Sequence, residues 1–188
     1  PYRRQRQMCI RDSGNVDLVL AIIKLMEDKM NSDNDILEVG IQTILLVEDS
    51  VRFYSSVLPH LYKFLLKQSL IFSTEALNEH EQMLRMRGRP KVILARTYEE
   101  AMTLYNKYKN EILGVITDVS FSRDGEKDKH AGIRLAKEIK EIDPYVPIIM
   151  ESSETENAVY AKEMGISFLD KNSKKFPVDL GRIITDNF

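Results

Sequence analysis

Residues 41–50 read IQTILLVEDS, an apolar run that stops abruptly in two carboxylates and a hydroxyl. A strand with one wet face alternates apolar with polar residues. Ile44 to Val47 do not alternate, as in a strand buried on both faces of a parallel sheet. The same pattern returns four times downstream, at Lys91–Ala95, Leu113–Thr117, Pro147–Met150 and Ile166–Leu169.

Helical segments fill the gaps between these strands. Ser50 to about Ile71 carries Phe53, Val57, Leu61, Phe64 and Leu65 along one side, and a second helix is expected over about 74–86, ending in the basic loop Arg85 to Pro90. Thr97 with Glu100 makes a capping box for a helix whose Ala101, Leu104, Tyr105 and Tyr108 point inward. Gly132–Ile142 is closed by Pro144. Ser153 with Glu156 reads as a second capping box, opening a helix that stops at Gly165. Pro177 to about Asp186 forms a last helix with proline in its first turn. Five βα units in a row demand a parallel sheet with right-handed crossovers and helices on both faces. The expected class is therefore α/β, a flavodoxin-like doubly wound five-stranded parallel sheet of order 2-1-3-4-5, with a helical insertion after strand one (about 67–89) and an N-terminal helix.

Upstream, Leu18, Val19, Ile22, Ile23, Met26 and Met30 fall at helical spacing behind Asn15, an N-cap candidate. A polar break follows at residues 31–35. Residues 14–40 are read as a helix and linker or as the tail of a preceding domain, and 41–188 as the main domain. Residues 4–13, RQRQMCIRDS, resemble a translated sequencing adapter, so 1–13 are set aside as a non-native segment; the rival reading is a basic arm for nucleic acid.

Of the 188 residues, 43% are hydrophobic and 30% charged, as in an ordinary globular chain. Lys plus Arg is 27 against 29 for Asp plus Glu, and this balance offers no global attraction to nucleic acid. The lone Cys9 excludes an internal disulfide and fits a reducing compartment. No apolar run approaches the roughly 20 residues that cross a bilayer. The expectation is a cytoplasmic protein with no membrane contact and no nucleic-acid partner within this chain.

The polar residues at the strand ends carry the chemistry. In open α/β sheets the functional crevice lies beyond the carboxyl ends of the strands, where strand order reverses. Strand one ends in Glu48-Asp49, strand three in Asp118, strand four in Glu151-Ser152 and strand five in Asp170-Lys171. Strands one and three are neighbours at the reversal, so three acids converge. Clustered carboxylates raise one another's pKa unless a cation neutralises them. Hard oxygen ligands suit Mg²⁺, which completes its shell with water and phosphate. A lysine and a hydroxyl beside a nucleophilic carboxylate make a site for in-line phosphoryl transfer.

At ILLVEDS (44–50), GVITD (114–118), PIIMESS (147–153) and FLDK (168–171) the sequence resembles the response-regulator receiver family. The resemblance implies that Asp118 is the phosphoacceptor and that Mg²⁺ is held by Asp49, by Asp118, by the backbone carbonyl of Ser120 and, through water, by Glu48. It implies that Ser152 turns toward the phosphoryl group and that Lys171 pairs with it. Phe168 matches a switch aromatic, or is a plain core ring. The implied partner is a histidine kinase or phosphotransfer protein. The implied chemistry goes no further than self-phosphorylation and dephosphorylation of the acceptor, so the chain is expected not to be an enzyme otherwise. From the 16–30 helix through the insertion the chain also resembles receiver segments attached to phosphoenolpyruvate synthase or pyruvate phosphate dikinase-like proteins of Bacteroidetes.

The sequence departs from the family in several places. Asn172 follows the lysine where the family has proline, and the glycine before strand five lies one position nearer the lysine. Val119–Ala131 is longer and more charged than usual, either a lid or a solvated loop. The insertion is either a homodimer or cis-domain contact or a passive elaboration. Two functions stand: a phosphorylated signalling receiver, and a degenerate receiver kept as a phosphorylation-independent interaction module. A hydrolase of related fold needs a second acid where Ser120 stands, and no Gly-rich phosphate loop follows strand one.

Overall fold

A computed structural model describes residues 16–74, 78 and 88–188. The segment 1–13 with Cys9 lies outside them, as do most of the helix expected over 74–86 and the loop after it up to residue 87.

Among the described residues, seven strands and six α-helices follow one another: α1 Val16–Ser32, β1 Thr43–Val47, α2 Val51–Thr74, β2 Lys91–Ala95, α3 Tyr98–Tyr108, β3 Ile112–Asp118, β4 Phe121–Arg123, β5 Glu126–Asp128, α4 Ala131–Ile142, β6 Ile148–Ser152, α5 Ala158–Glu163, β7 Ser167–Asp170 and α6 Phe176–Asn187. Five strands pair in parallel in the order β2-β1-β3-β6-β7, while β4 and β5 form a separate antiparallel hairpin. With the hairpin set aside this is the 2-1-3-4-5 order expected. The strand ends are in register, since Val47 lies between Ala95 and Thr117, Asp118 lies beside Glu151, and Ser152 beside Asp170.

All five residues of β1 are buried, as its unbroken apolar run requires. Ile44, Leu46, Ile116 and Ile149 face α2 and α6 through Leu58, Leu61, Leu180 and Ile184. Leu45, Val47, Val115 and Met150 face α3 and α4 through Ala101, Tyr105, Leu135 and Ile139. The Thr97 hydroxyl accepts from the Glu100 N–H (3.2 Å), and Glu100 accepts from the Arg96 N–H (2.8 Å), so that capping box forms with its return arm one residue early. The second box does not form: Ser153 caps nothing, a 3₁₀ turn at Thr155–Asn157 precedes α5, and Glu154 N–H is satisfied by Ser152 instead.

The first helix differs from its sequence reading in extent and in the face it buries. It continues past the expected polar break into a π-helical segment, Asp33–Glu38. Val19, Ile22, Ile23, Met26 and Met30 are exposed; the inward residues are Ala21, Leu25 and Asp28. The cause is an ion pair. Asp28, with no exposed surface, accepts from Arg89 Nη2 (2.6 Å) and Nη1 (3.1 Å), the Tyr62 hydroxyl (2.8 Å) and the Val92 N–H (3.0 Å). Asp35 then pairs with Lys91 (2.7 Å), and Asp33 accepts from Tyr108 (2.5 Å). Residues 28–36 therefore cover β2, the edge strand, whose polar backbone otherwise invites pairing with another chain.

Candidate functional site

The four parallel strands β1, β3, β6 and β7 deliver their last residues to one rim of the sheet, where Glu48, Asp49 and Asp118 offer carboxylate oxygens all within 4.8 Å of one another. Lys171, just past β7, reaches across this group. Its ammonium donates to Asp118 Oδ1 (2.7 Å) and to Glu48 Oε2, lies 3.8 Å from Glu151 Oε1 and sits 4.4 Å from the centre of the Phe53 ring. Burial works against its charge, but Glu151, Asp118 and Glu48 together hold its pKa above the ordinary lysine value. Asn172 fixes the loop behind the lysine, donating its N–H to Asp170 (2.8 Å) and its side-chain amide to the Ser153 carbonyl (2.9 Å).

Glu48 is fully buried and accepts from Ser50 N–H (2.9 Å); burial raises its pKa in spite of Lys171. Glu151 goes further. Both its oxygens are buried with no hydrogen-bond partner, the only such side-chain atoms among the described residues, and burial pushes its carboxyl up to about 8. The sequence marked Glu151 only as a strand-end acid; a carboxylate in the last apolar positions of a buried strand was the available signal.

The long segment after Asp118 is a hairpin rather than a loop. Asp124 (φ 52°) and Gly125 (φ 80°) form its tip with two consecutive positive φ angles, the conformation for which Asp-Gly is the commonest sequence sign. Phe121 is completely buried, Ser122 bridges to Thr97, Asp124 N–H donates to Glu99 (2.8 Å), and Asp128 accepts from His130 N–H (2.8 Å) and Arg134 (3.1 Å). The hairpin is thereby tied to α3 on one side and α4 on the other. It carries Lys127 to the acids: Lys127 Nζ donates to Asp49 Oδ2 (2.8 Å), Asp49 Oδ1 (3.1 Å) and the Ser120 carbonyl (2.6 Å). The sequence placed Phe53 only on the apolar side of a helix and Lys127 only in a charged segment, and neither at the acids, because no local pattern reports contacts across that many residues.

Ser152 is nearly buried on β6; its carbonyl accepts the Lys171 N–H (2.9 Å), and its Oγ accepts from Glu154 N–H (3.0 Å) and Asn157 (2.9 Å). A hydroxyl that accepts twice still has a proton to donate. Phe168 lies beside Met150, partly buried against the core on the α3 side. Gly132, in the first turn of α4, lies directly under Asp118: a Cβ there would lie 1.9 Å from the Asp118 carbonyl oxygen, so only glycine lets the helix start so close to the end of β3.

Four carboxyl groups thus face two ammonium groups in one small volume, an excess of negative charge. The Lys127 ammonium, hydrogen-bonded to Asp49 and the Ser120 carbonyl, marks a spot where positive charge is held, and the carboxylates of Glu48, Asp49 and Asp118 are the hard oxygen ligands that Mg²⁺ takes. The donor set therefore fits Mg²⁺.

No family model matches this chain, and no curated protein matches it either. Solved structures do. A response regulator receiver domain protein from Clostridium thermocellum is 21% identical, with 78% of this chain and 93% of that one covered at a TM-score of 0.52. The chemotaxis protein CheY4 of Vibrio cholerae is 18% identical, with 79% and 100% covered at 0.53. The chain has the receiver-domain fold.

Proposed function

We propose that this chain is the phosphoacceptor receiver of a two-component phosphorelay, with Asp118 as the acceptor. What supports the reading most is the Lys171 ammonium joining Asp118 to buried Glu48 at the same rim that carries Asp49 and the Ser120 carbonyl. A phosphohistidine of a histidine kinase or phosphotransfer protein donates: an Asp118 carboxylate oxygen bonds to phosphorus as the phosphorus–nitrogen bond breaks. Lys171 then pairs with the phosphoryl oxygens, and Ser152 donates its hydroxyl proton to one of them. Mg²⁺, when held by Asp49, Asp118, the Ser120 carbonyl and the neighbouring Glu48, would neutralise charge between phosphoryl group and carboxylates. Phe168 is assigned the switch aromatic's part and the helical insertion a contact with a second copy or a cis domain. The protein is placed in the cytoplasm, and no other catalysis is assigned to it; no helix among the described residues is long and apolar enough to cross a membrane.

A second reading, a receiver kept as a phosphorylation-independent interaction module, draws support from Lys127, which already satisfies Asp49. Intact mass after incubation with acetyl phosphate separates the two. The first expects one added phosphoryl group that needs Mg²⁺ and disappears in Asp118→Asn. An unmodified wild-type chain with no Mg²⁺ binding is the result the second expects.

A further inference from the structure

Resting on the metal reading above, we propose that Lys127 is a tethered counter-cation of the acceptor site, which a divalent cation must displace in order to bind. The ammonium holds two of the groups assigned to the metal, the Asp49 carboxylate and the Ser120 carbonyl, with three contacts of 2.6–3.1 Å. A metal and this ammonium cannot both hold those oxygens. The contact is not that of a loose surface side chain. Lys127 lies opposite Ser122 in the β4–β5 ladder, and the hairpin is fixed by buried Phe121, by the Thr97 bridge and by the Asp128 contacts.

Charge explains why a lysine would be kept there. The rim holds more carboxyl groups than Lys171 alone can balance, and like charges so close repel. Lys127 relieves that repulsion when no metal is bound. Its side chain remains 55% exposed, so the pair is screened and can be exchanged for a divalent ion, which brings twice the charge. The exchange frees Lys127 from the acids while Asp124 stays bound to α3 and Asp128 to α4. Metal occupancy is thereby coupled to the position of residues 125–127, on the arm of the hairpin that carries the lysine.

The test titrates Mg²⁺, and Mn²⁺ followed by the electron paramagnetic resonance of the free ion, into the full chain as wild type, Lys127→Gln and Lys127→Arg. Lys127→Gln should bind either ion about fivefold more tightly than wild type, the size of an exposed ion pair, and Lys127→Arg should bind no more tightly than wild type. In wild type, Mg²⁺ should speed amide hydrogen exchange at residues 125–127, a readout that does not depend on any variant folding. Equal affinity of wild type and Lys127→Gln, or slower exchange of the hairpin with Mg²⁺, overturns the counter-cation role while leaving the metal site standing. Absence of binding in all three chains removes the metal reading itself, and this inference with it.

Discussion

Two clusters of buried charge among the described residues, one around Asp28 and one around Asp118, are built on opposite terms. Around Asp28 one carboxylate meets one guanidinium, a tyrosine hydroxyl and a backbone N–H, so every charge has its counterpart. Around Asp118 four carboxyl groups share two ammonium groups, and Glu151 has no hydrogen bond at all. The first arrangement has nothing left to bind and serves as a joint between α1, α2 and the start of β2. The second stores unsatisfied negative charge at the open rim of a parallel sheet, which is the position from which such folds bind ligands. A saturated cluster holds a fold together; an unsaturated one is poised for something else.

The largest effect should come from breaking the saturated cluster. Asp28→Ala leaves Arg89 buried without a counter-charge and should cost about 3–5 kcal/mol in urea unfolding. Replacing Asp28 and Arg89 together by leucine should recover a large part of that loss, because no charge is then left unpaired. Were the single replacement nearly neutral, the joint would carry no such weight.

The opposite sign is expected at Glu151. Its carboxyl is held at about 8 in the fold against 4.5 in the open chain. The folded state therefore binds the extra proton between those values, and stability falls as pH rises through that window. Glu151→Leu should gain about 2–3 kcal/mol at pH above 8 and flatten the dependence, measured by thermal unfolding across pH without divalent cation. A destabilised variant there would mean that the carboxyl has a partner in solution.

A smaller effect separates the clusters by ligand. Saturating Mg²⁺ should stabilise wild type and Asp28→Asn alike by about 1–3 kcal/mol and leave Asp49→Asn unmoved. Smallest of all is the response to salt. Molar salt should weaken the half-exposed Lys127–Asp49 pair by less than about 1 kcal/mol, seen as faster amide exchange of the hairpin, and leave the buried Asp28–Arg89 pair unchanged.

The two clusters also differ in how far the sequence disclosed them. The carboxylate rim was legible because parallel strands fix where their last residues go: Glu48, Asp49, Asp118, Ser152 and Lys171 follow apolar runs that could be counted. The sheet order was legible for the same reason. Asp28–Arg89 was not, since it joins residues 61 apart and an aspartate in a helix ordinarily reads as a solvated one. That one ion pair turned α1 so that Ala21 and Leu25 went inward and the longer stripe through Val19, Ile23, Met26 and Met30 stayed outside. Lys127 was hidden inside a charged segment read as a lid or a solvated loop, where the Asp124-Gly125 dipeptide was passed over and nothing local told where the lysine would land. Capping failed at Ser153 because the chain runs through a 3₁₀ turn at Thr155–Asn157 and the α-helix starts only at Ala158.

The central claim is that the unsaturated rim holds a phosphoryl group on Asp118 beside a divalent cation. Beryllofluoride, a mimic of the transferred group, tests it by ¹⁹F NMR on the intact chain. The account predicts bound fluoride resonances with Mg²⁺ that vanish on chelation and in Asp118→Asn. Wild-type protein with Mg²⁺ and no bound resonance, or bound resonances that persist in Asp118→Asn, would contradict it.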